Sequence, residues 1–565
     1  MGEQIWHQHY DQGVPHTLQP YPQQTLAEVV ASTAAFRPDH VALYFKGTAI
    51  TYAQLDSLSN AFASSLLHIG LRKGERVALL MPNIPQMVLA LLGVWRAGGI
   101  AVPLNPLDTP RELEYAFQES GAETILLLTR YYHKVKTIQG RTHLRHIIAT
   151  NIKEFLPAHL RLLFTLFKES SSGDGIQLQP GDHWLHDLLQ GHAGAPPPQV
   201  DIHPTDLGLL LFSGGTTGSP KAAAGTQQAL LISGLQYHAW STNLLVDWED
   251  VIMLNMPLFH SYGLGGVFAT GLVAHTPLVL VPDPRDLDDL LATIQKVKPA
   301  FLPGVPTLFN ALLHHPKVRS GQVSLKSIKL CLSGASSLLL ETKQRFEEVT
   351  GGRIIEGYAM TESMMAGVAT PIQGLYKPGA VGIPLPDVEL RVVDADSGQV
   401  VLPAGQVGEF ILRAPQIMRG YWGKPTESAN AIRDGWLYTG DLGYLDEDGY
   451  MFIVDRKKDL IKPSGFQVWP REVEEVLASH PAVAEVGVAG VPDPFQGEAV
   501  QAWVVLRSGQ TATQAELRQF CRQSLTAYKV PRQIQFVDCL PKTAVGKILR
   551  RELSAKAETQ PPQSS

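Results

Sequence analysis

The sequence predicts an α/β fold: a large N-terminal domain of layered α/β subdomains closed by a small β-barrel-like subdomain, then a small α+β C-terminal domain. Three observations carry that prediction. Apolar β-branched runs alternate with helix-period patterns through most of residues 1–450, as stacked α/β layers require. After Pro378 the pattern turns to short strands and turns, in VELRVVDADSG, GEFILR and GYLDEDGYMFIV. From about Arg456 a compact helix–strand–strand–helix–strand order begins. The boundaries expected are 1–455, with subdomains near 1–200, 201–377 and 378–455, and 456–565.

The elements follow in order. ERVALLM reads as a buried strand, PQMVLALLGVWRAG as a helix and IAVPLNP as the next strand. NIKEFLPAHLRLLFTLFK, residues 151–168, is a helical pattern that puts Leu156, Leu160, Leu163, Phe164 and Phe167 on one face, with Lys153, Arg161 and Lys168 near it. An amphipathic helix packed on the core is the ordinary reading; a helix lying on a membrane surface is the other. The polar stretch 169–198 and the tail ETQPPQSS read as weakly ordered. LGLLLF and SIKLCLSG are strands. Val251 to Pro282 holds no Asp, Glu, Lys or Arg, but Pro257, four glycines, two histidines and Pro277 interrupt it, so it reads as buried loop, helix and strand instead of a membrane span. In the last unit PREVEEVLASH is a helix with Pro470 at its start, AVAEVGVAGV and AVQAWVVLR are strands, AELRQFCRQSL is a helix and QIQFVDCL a strand.

Composition narrows the function classes. With 44% hydrophobic residues over 565 positions the chain can bury a sizeable core. A net charge of −6 provides no global field for nucleic acid. Three scattered cysteines, Cys331, Cys521 and Cys539, form neither a disulfide framework nor a metal motif and suit a reducing compartment. The N-terminal stretch has no apolar signal region, so a cytoplasmic location is expected, with room for peripheral membrane contact and for a homodimer.

The most informative segment is LGLLLFSGGTTGSPKAAAG, residues 207–225. Buried-strand residues run into Ser213-Gly214-Gly215-Thr216-Thr217-Gly218-Ser219-Pro220-Lys221. Glycines let successive backbone N–H groups converge on an anion, hydroxyls add donors and the lysine adds charge. Walker A spacing is absent. Downstream come EGYAMTE with Glu362, GWLYTGDLGYLDEDGY with Asp441 in a turn, IVDRKKDLIKPSGFQVWP with Arg456, and LPKTAVGKILRREL with Lys547. Singly these are a loop acid, a turn-former and two surface charges. Together, in this order behind that loop, they outweigh those ordinary readings.

From TYAQLDSLSNAFA to GKILRREL the chain resembles the adenylate-forming superfamily: acyl-CoA synthetases, aryl-acid CoA ligases, beetle luciferases and peptide-synthetase adenylation domains. The motifs PLFHSYGL, VPTLFNALL, GYWGKPTES, IVDRKKDLI and LTAYKVPR look like those of bacterial long-chain fatty acid–CoA ligases. The resemblance implies ATP-dependent ligation of a fatty acid to coenzyme A through an acyl-adenylate, with ATP and CoA as co-substrates and Mg²⁺ as cofactor. Medium-chain or aryl acids, or loading of a carrier-protein thiol, are the alternatives; a non-catalytic binding protein is disfavoured by the intact charged set.

Residue by residue, the resemblance implies the following. The loop with Ser213, Gly214, Gly215, Thr216, Thr217, Gly218 and Lys221 holds the β- and γ-phosphates. Glu362 and the hydroxyl of Thr216 or Thr217 organise Mg²⁺, and Thr361 belongs to the nucleotide site. Gly334, Ala335, Ser336, Glu356, Gly357 and Tyr358 form the adenine slot, with Tyr358 stacking on the base. Asp441 accepts from the ribose hydroxyls with Arg456 beside it. Lys547 reaches in from a mobile small domain, which swings about a hinge at Lys458 and brings Lys462, Gly465 and Gln467 in for thioester formation. His260 lines the acyl entrance or is a satisfied core histidine. Ala222, Gln227, Ala359 and Pro463-Ser464 depart from the family pattern; Ala359 would matter if its backbone needed a positive φ.

Overall fold

The computed structural model describes residues 4–213, 220–335, 338–457, 459–463, 468–493, 496–543, 548–550 and 552–554. Among them, a seven-stranded sheet runs in the spatial order His183–Trp184, His146–Thr150, Thr124–Leu128, Arg76–Leu80, Ile100–Pro103, Leu207–Ser213, Lys221–Thr226. Its pairs are parallel except the last, Leu207–Ser213 against Lys221–Thr226. Parallel strands are covered on both faces, which is why Thr124–Leu128 reads TILLL and is buried throughout.

A nine-stranded sheet runs from Ile383–Pro384 through Gly367–Ala369, Arg353–Ala359, Leu330–Ser333, Phe301–Gly304, Ile252–Leu254 and Leu278–Leu280 to Val41–Phe45 and Thr48–Thr51. Helix Pro85–Arg96, begun by its proline, is apolar on every face and buried from Pro85 to Trp95. It shares one core with Leu254 and Leu278 of the nine-stranded sheet and with Leu126 and Leu209 of the other, so it is the filling between two sheets.

The region after Pro378 forms a curled antiparallel half-barrel of Glu389–Val393, Gly408–Arg413, Trp436–Leu445, Ile432–Arg433 and Met451–Arg456, with register breaks at 409/411 and 442/443 that bend it. The C-terminal unit packs helices Pro470–Ala478 and Gln514–Arg522 on a sheet of Val483–Asp493, Gly497–Leu506 and Gln533–Phe536, around Val473, Leu477, Val488, Leu517 and Cys521. The three cysteines are unpaired, Cys331 and Cys521 buried and Cys539 exposed. No helix among the described residues is long and apolar enough to cross a membrane.

The structure corrects four expectations. Residues 169–198 are not structureless: Asp174 is buried, accepting from Thr129 Oγ1 at 2.8 Å, Arg130 at 3.0 Å and Ser172 Oγ at 2.6 Å, and His183–Trp184 and helix Leu185–Gly191 follow. A buried carboxylate and a Trp-Leu anchor outweigh a Ser- and Pro-rich composition. Residues 151–168 are not one helix, because Pro157 separates a 3₁₀ turn, Ile152–Phe155, from helix Ala158–Phe167. That helix also does not bury its apolar side: no residue in it is buried. Asp441 lies within strand Trp436–Leu445 instead of a turn.

The charge-free stretch 251–282 is strand Ile252–Leu254, a loop, a wide π-wound helix Tyr262–Ala269 continuing into Thr270–Val273, and strand Leu278–Leu280. Its glycines are there for contact: a Cβ on Gly263 would sit 2.1 Å from the Pro257 carbonyl oxygen, and one on Gly265 would sit 2.7 Å from Met365 Cβ. Gly367 is as tight, since an added Cβ would meet the Tyr358 carbonyl oxygen at 2.0 Å across the Ala359–Gly367 pair. Replacing Gly367 with alanine is expected to lower stability by about 3 kcal/mol, the upper range of overpacking. An unchanged urea midpoint would show that the two strands can part at no expense.

Candidate active site

The carboxyl ends of the parallel strands open onto one cavity of about 1300 Å³, the place where open α/β sheets hold ligands. Pro103, Ser213, Ser333 and Tyr358 mark those ends, and Glu474, Lys542, Thr543, Ile548 and Arg550 of the C-terminal unit close the far side.

The hairpin of Leu207–Ser213 and Lys221–Thr226 pairs Ser213 with Lys221, and Ser213 Oγ donates to the Lys221 carbonyl oxygen at 3.3 Å. The two ends of the glycine-rich segment are thereby fixed at the cavity wall. Gly214, Gly215, Thr216, Thr217 and Gly218 lie outside the described residues, as do Ser336, Lys458, Gly465, Gln467, Lys547 and the C-terminal tail. The Lys221 ammonium stands 4.6 Å from the centre of the Tyr421 ring, and the Tyr421 hydroxyl donates to Glu362 Oε1 at 2.9 Å. Tyr421 therefore orders a cation and a carboxylate at once. Burial and the Glu362 charge push its phenol well above the ordinary tyrosine range, so it stays a donor.

Strand Arg353–Ala359 delivers Glu356, Gly357 and Tyr358, three of the residues expected at the adenine slot, to the cavity. The Tyr358 hydroxyl donates to Asp441 Oδ2 at 2.7 Å, while Asp441 Oδ1 takes Arg456 Nε at 3.1 Å. Asp441 and Arg456 are cross-strand partners in the half-barrel, which is why residues 15 apart in sequence meet. Burial and the Asp441 carboxylate hold the Tyr358 phenol protonated. Glu356 is buried, accepts from the Leu338 amide at 3.3 Å and has its carboxyl pushed up by burial.

Ala335 lies at φ +68°, a conformation that disfavours a side chain, on the cavity wall; Gly334 itself is not part of that lining. Ala359, in a regular strand, has no positive φ, so its replacement of glycine carries no backbone strain. Thr361 and His260 line the cavity, His260 accepting from the Tyr262 amide at 3.2 Å. Lys462 lies away from it, its amide donating to Glu498 at 2.7 Å.

A second cluster was not assigned from the sequence. Asp455, next to Arg456 but on the other face of the strand, is buried and accepts from the Arg471 amide at 2.8 Å in the first turn of helix Pro470–Ala478. Arg550 bridges Asp455 at 3.3 Å, Asp459 at 3.0 Å and Glu474 at 2.7 Å. Burial raises the Asp455 carboxyl against the pull of that guanidinium. A large-domain carboxylate thus caps a small-domain helix. Asp455, Arg550 and Tyr421 all sit in segments whose family likeness is legible, but nothing in their spacing announces these partners.

Glu362 keeps a second carboxylate oxygen for a hard divalent cation, and such an ion draws most of its ligands from nucleotide phosphates and water. Among the described residues no cluster of three His, Cys, Asp or Glu forms a self-sufficient cage. The donor set fits Mg²⁺ brought in with a nucleotide.

Residues 30–422 match the family described as AMP-binding enzyme, and residues 472–547 match the AMP-binding enzyme C-terminal domain. A long-chain-fatty-acid–CoA ligase of Bacillus subtilis (strain 168) is 39% identical over 97% of both chains. A 4-coumarate–CoA ligase of Nicotiana tabacum is 33% identical over 90% of this chain and 89% of its own. The crystal structure of an anthranilate CoA ligase in complex with anthranoyl-AMP superposes with a TM-score of 0.82 at 28% identity, covering 95% of this chain and 98% of the other. The chain belongs to the AMP-binding, adenylate-forming superfamily. Within it, the chemistry is that of an AMP-forming acyl-CoA ligase, with ATP and CoA as co-substrates.

Two measurements probe the site. Tyr421→Phe removes the hydrogen bond to Glu362 but keeps the ring under Lys221, while Tyr421→Leu removes both. The KM for ATP is expected to rise about 5-fold in the first and by well over tenfold in the second; equal effects would mean that only the ring's bulk matters. At the rim, burial and then the neighbouring Glu112 push Asp108 up to about 6 from an ordinary 3.8. A folded carboxyl that holds its proton longer than the unfolded one makes stability fall as pH rises between those values. Asp108→Asn is expected to stabilise the fold by about 1–2 kcal/mol near pH 8, after allowance for solvent screening, and to do nothing near pH 4. Denaturant titrations at the two pH values check it.

Proposed function

We propose that Lys221, Glu362, Asp441 and Arg456, converging on one cavity that Thr543 and Ile548 also line, activate a hydrophobic carboxylic acid as its adenylate and pass the acyl group to the thiol of CoA. The acid's carboxylate attacks the α-phosphorus of ATP, the bond to the β-phosphate oxygen breaks and pyrophosphate leaves. The CoA sulfur then attacks the acyl carbonyl, giving up its proton, and AMP leaves. The observation that carries this reading is that the Tyr358–Asp441–Arg456 contact and the Lys221–Tyr421–Glu362 contact line the same cavity.

Each group has a task. Asp441, held by Tyr358 and Arg456, presents its carboxylate to the ribose hydroxyls. Lys221 and the backbone of 213–221 receive the outer phosphates. Glu362, with Thr216 or Thr217, would hold Mg²⁺, which neutralises phosphate charge when bound. Lys547 is placed, by its motif, to meet the charge that builds up where two anions combine. Lys458 is the assigned hinge, and Lys462, Gly465 and Gln467 serve the thioester step after the small domain turns.

Phe259, His260, Ala359 and Met360 line the cavity, and we assign them to its acyl end. Behind it Met364 and Met365 are buried, Met365 against Gly265 and Gly266 of the π-wound helix. This end suits a compact acid, aryl or medium-chain, and the likeness to anthranilate and 4-coumarate ligases supports that. A long-chain fatty acid is the second reading, favoured by the near full-length identity with the Bacillus ligase; it requires the flexible Met365 side chain to swing aside.

Two assays test the proposal. Lys547→Ala is expected to cut acid-dependent pyrophosphate release by at least about 100-fold while thioester formation from supplied acyl-adenylate stays within about threefold. Undiminished adenylation would remove Lys547 from its role. CoA-dependent AMP release, measured across saturated acids of increasing length and against benzoate and cinnamate, separates the acid classes. A maximum beyond about twelve carbons would select the second reading.

A further inference from the structure

One guanidinium serves three carboxylates where the two domains meet. Arg550 donates to Glu474 through Nε at 3.2 Å and Nη2 at 2.7 Å. Its remaining nitrogen, Nη1, donates to Asp459 at 3.0 Å and to Asp455 at 3.3 Å. The neighbouring Arg471 turns its guanidinium elsewhere, Nε to Glu475 at 2.9 Å and Nη1 to the Ile453 carbonyl oxygen at 3.0 Å. Among the described residues Arg550 is the cation paired with all three carboxylates.

Those carboxylates stand on different sides of the assigned hinge. Asp459 and Glu474 follow residue 458 in the chain and move with Arg550 when the small domain turns. Asp455 precedes it, in strand Met451–Arg456 of the half-barrel, and stays behind. A turn at 458 therefore breaks the Asp455–Arg550 pair and the bond from the Arg471 amide, and leaves the Glu474 and Asp459 contacts whole. Asp455 is buried, so its partners matter. Without the guanidinium it would face two carboxylates of its own sign, and the junction would repel what it now holds.

What the pair positions is the segment that carries Lys547. Arg550 follows Lys547 by three residues, a length of chain that spans at most about 11 Å, and Ile548 between them lines the cavity. On the other side Asp455 adjoins Arg456, whose guanidinium meets Asp441 in the cavity wall. One ion pair thus ties the lysine's segment to the strand that presents the Asp441 contact. Such ties count in catalysis, because a misplacement of about 1 Å can slow a reaction about 100-fold.

We propose that Arg550, acting through its pair with Asp455, is a positioning residue for adenylation: the pair holds the small domain where Lys547 serves the nucleotide, and parts before the thioester step. The inference rests on the role proposed for Lys547. It adds which contact sets that lysine's place and which contact must break for the small domain to turn.

The test separates the half-reactions in the full chain. Acid-dependent pyrophosphate release reports adenylation, and thioester formation from supplied acyl-adenylate reports the second step. Asp455→Asn keeps an acceptor for the Arg471 amide but removes the charge, and Arg550→Gln removes the pair from the other side. Each is expected to slow adenylation at least about tenfold while thioester formation falls by less than about threefold. The double variant should adenylate no more slowly than the slower single one, as a pair acting as a unit requires. Glu474→Gln loosens Arg550 inside the small domain only and should slow adenylation less than Asp455→Asn does. Should Arg550→Gln unfold the small domain, Asp455→Asn still tests the pair from the large one. Wild-type adenylation by Asp455→Asn, an equal loss in both half-reactions, or a Glu474→Gln variant slower than Asp455→Asn overturns the inference. Undiminished adenylation by Lys547→Ala would instead overturn the reading beneath it, whatever the Asp455 and Arg550 variants do.

Discussion

Two carboxylates on adjacent strands of the half-barrel organise this molecule. Asp441 and Asp455 are both nearly inaccessible, and a buried carboxylate without partners is too costly to keep. Each is answered from a different direction. Asp441 takes Tyr358 and Arg456 and faces the cavity, while Asp455 takes Arg471 and Arg550 and faces the C-terminal unit. Asp455 and Arg456 are consecutive, so strand alternation itself divides the two tasks. The pairing of Asp441 with Arg456 shapes one wall of the cavity, and the neighbouring residue ties the smaller unit to the strand.

The same economy appears where the backbone comes close to itself. Glycines at 263, 265, 266 and 367 sit where a side chain has no room, and each brings a functional strand or helix against its neighbour. Positive φ at Ala335, Met364 and Met365 marks the turns that present the cavity wall, strain that the surrounding packing sustains. These contacts set the backbone of the cavity wall beside Phe259, His260, Ala359 and Met360.

Much of this was legible in residue order. The buried strands at 76–80, 207–213 and 330–333, the mostly apolar helix begun by Pro85 and the proline-started helix at 470 follow from periodicity and end signals, which act over a few residues. The cavity's charged set was legible as a series of motifs. What those motifs could not carry was partnership. Tyr421 is one aromatic in a glycine-rich segment until Glu362 and Lys221 close on it, and Arg550 is one of several basic residues near the end until Asp455 meets it. Asp441 was read as a turn residue because Thr-Gly-Asp-Leu-Gly has turn composition, yet ladder pairing with Arg456 outweighed local preference. The 169–198 stretch was misread for the same reason, since a single buried aspartate sets its course.

By itself the sequence determined the layered α/β architecture and the family, because these depend on hydrophobic period and on residue types at short spacing. Only the tertiary structure decided which groups touch, which of them line one cavity and which way helix Ala158–Phe167 turns its leucines. Those outcomes depend on contacts between segments far apart in the chain. A helical pattern states that one face is apolar; whether protein or something else covers that face is settled by the neighbours it is given.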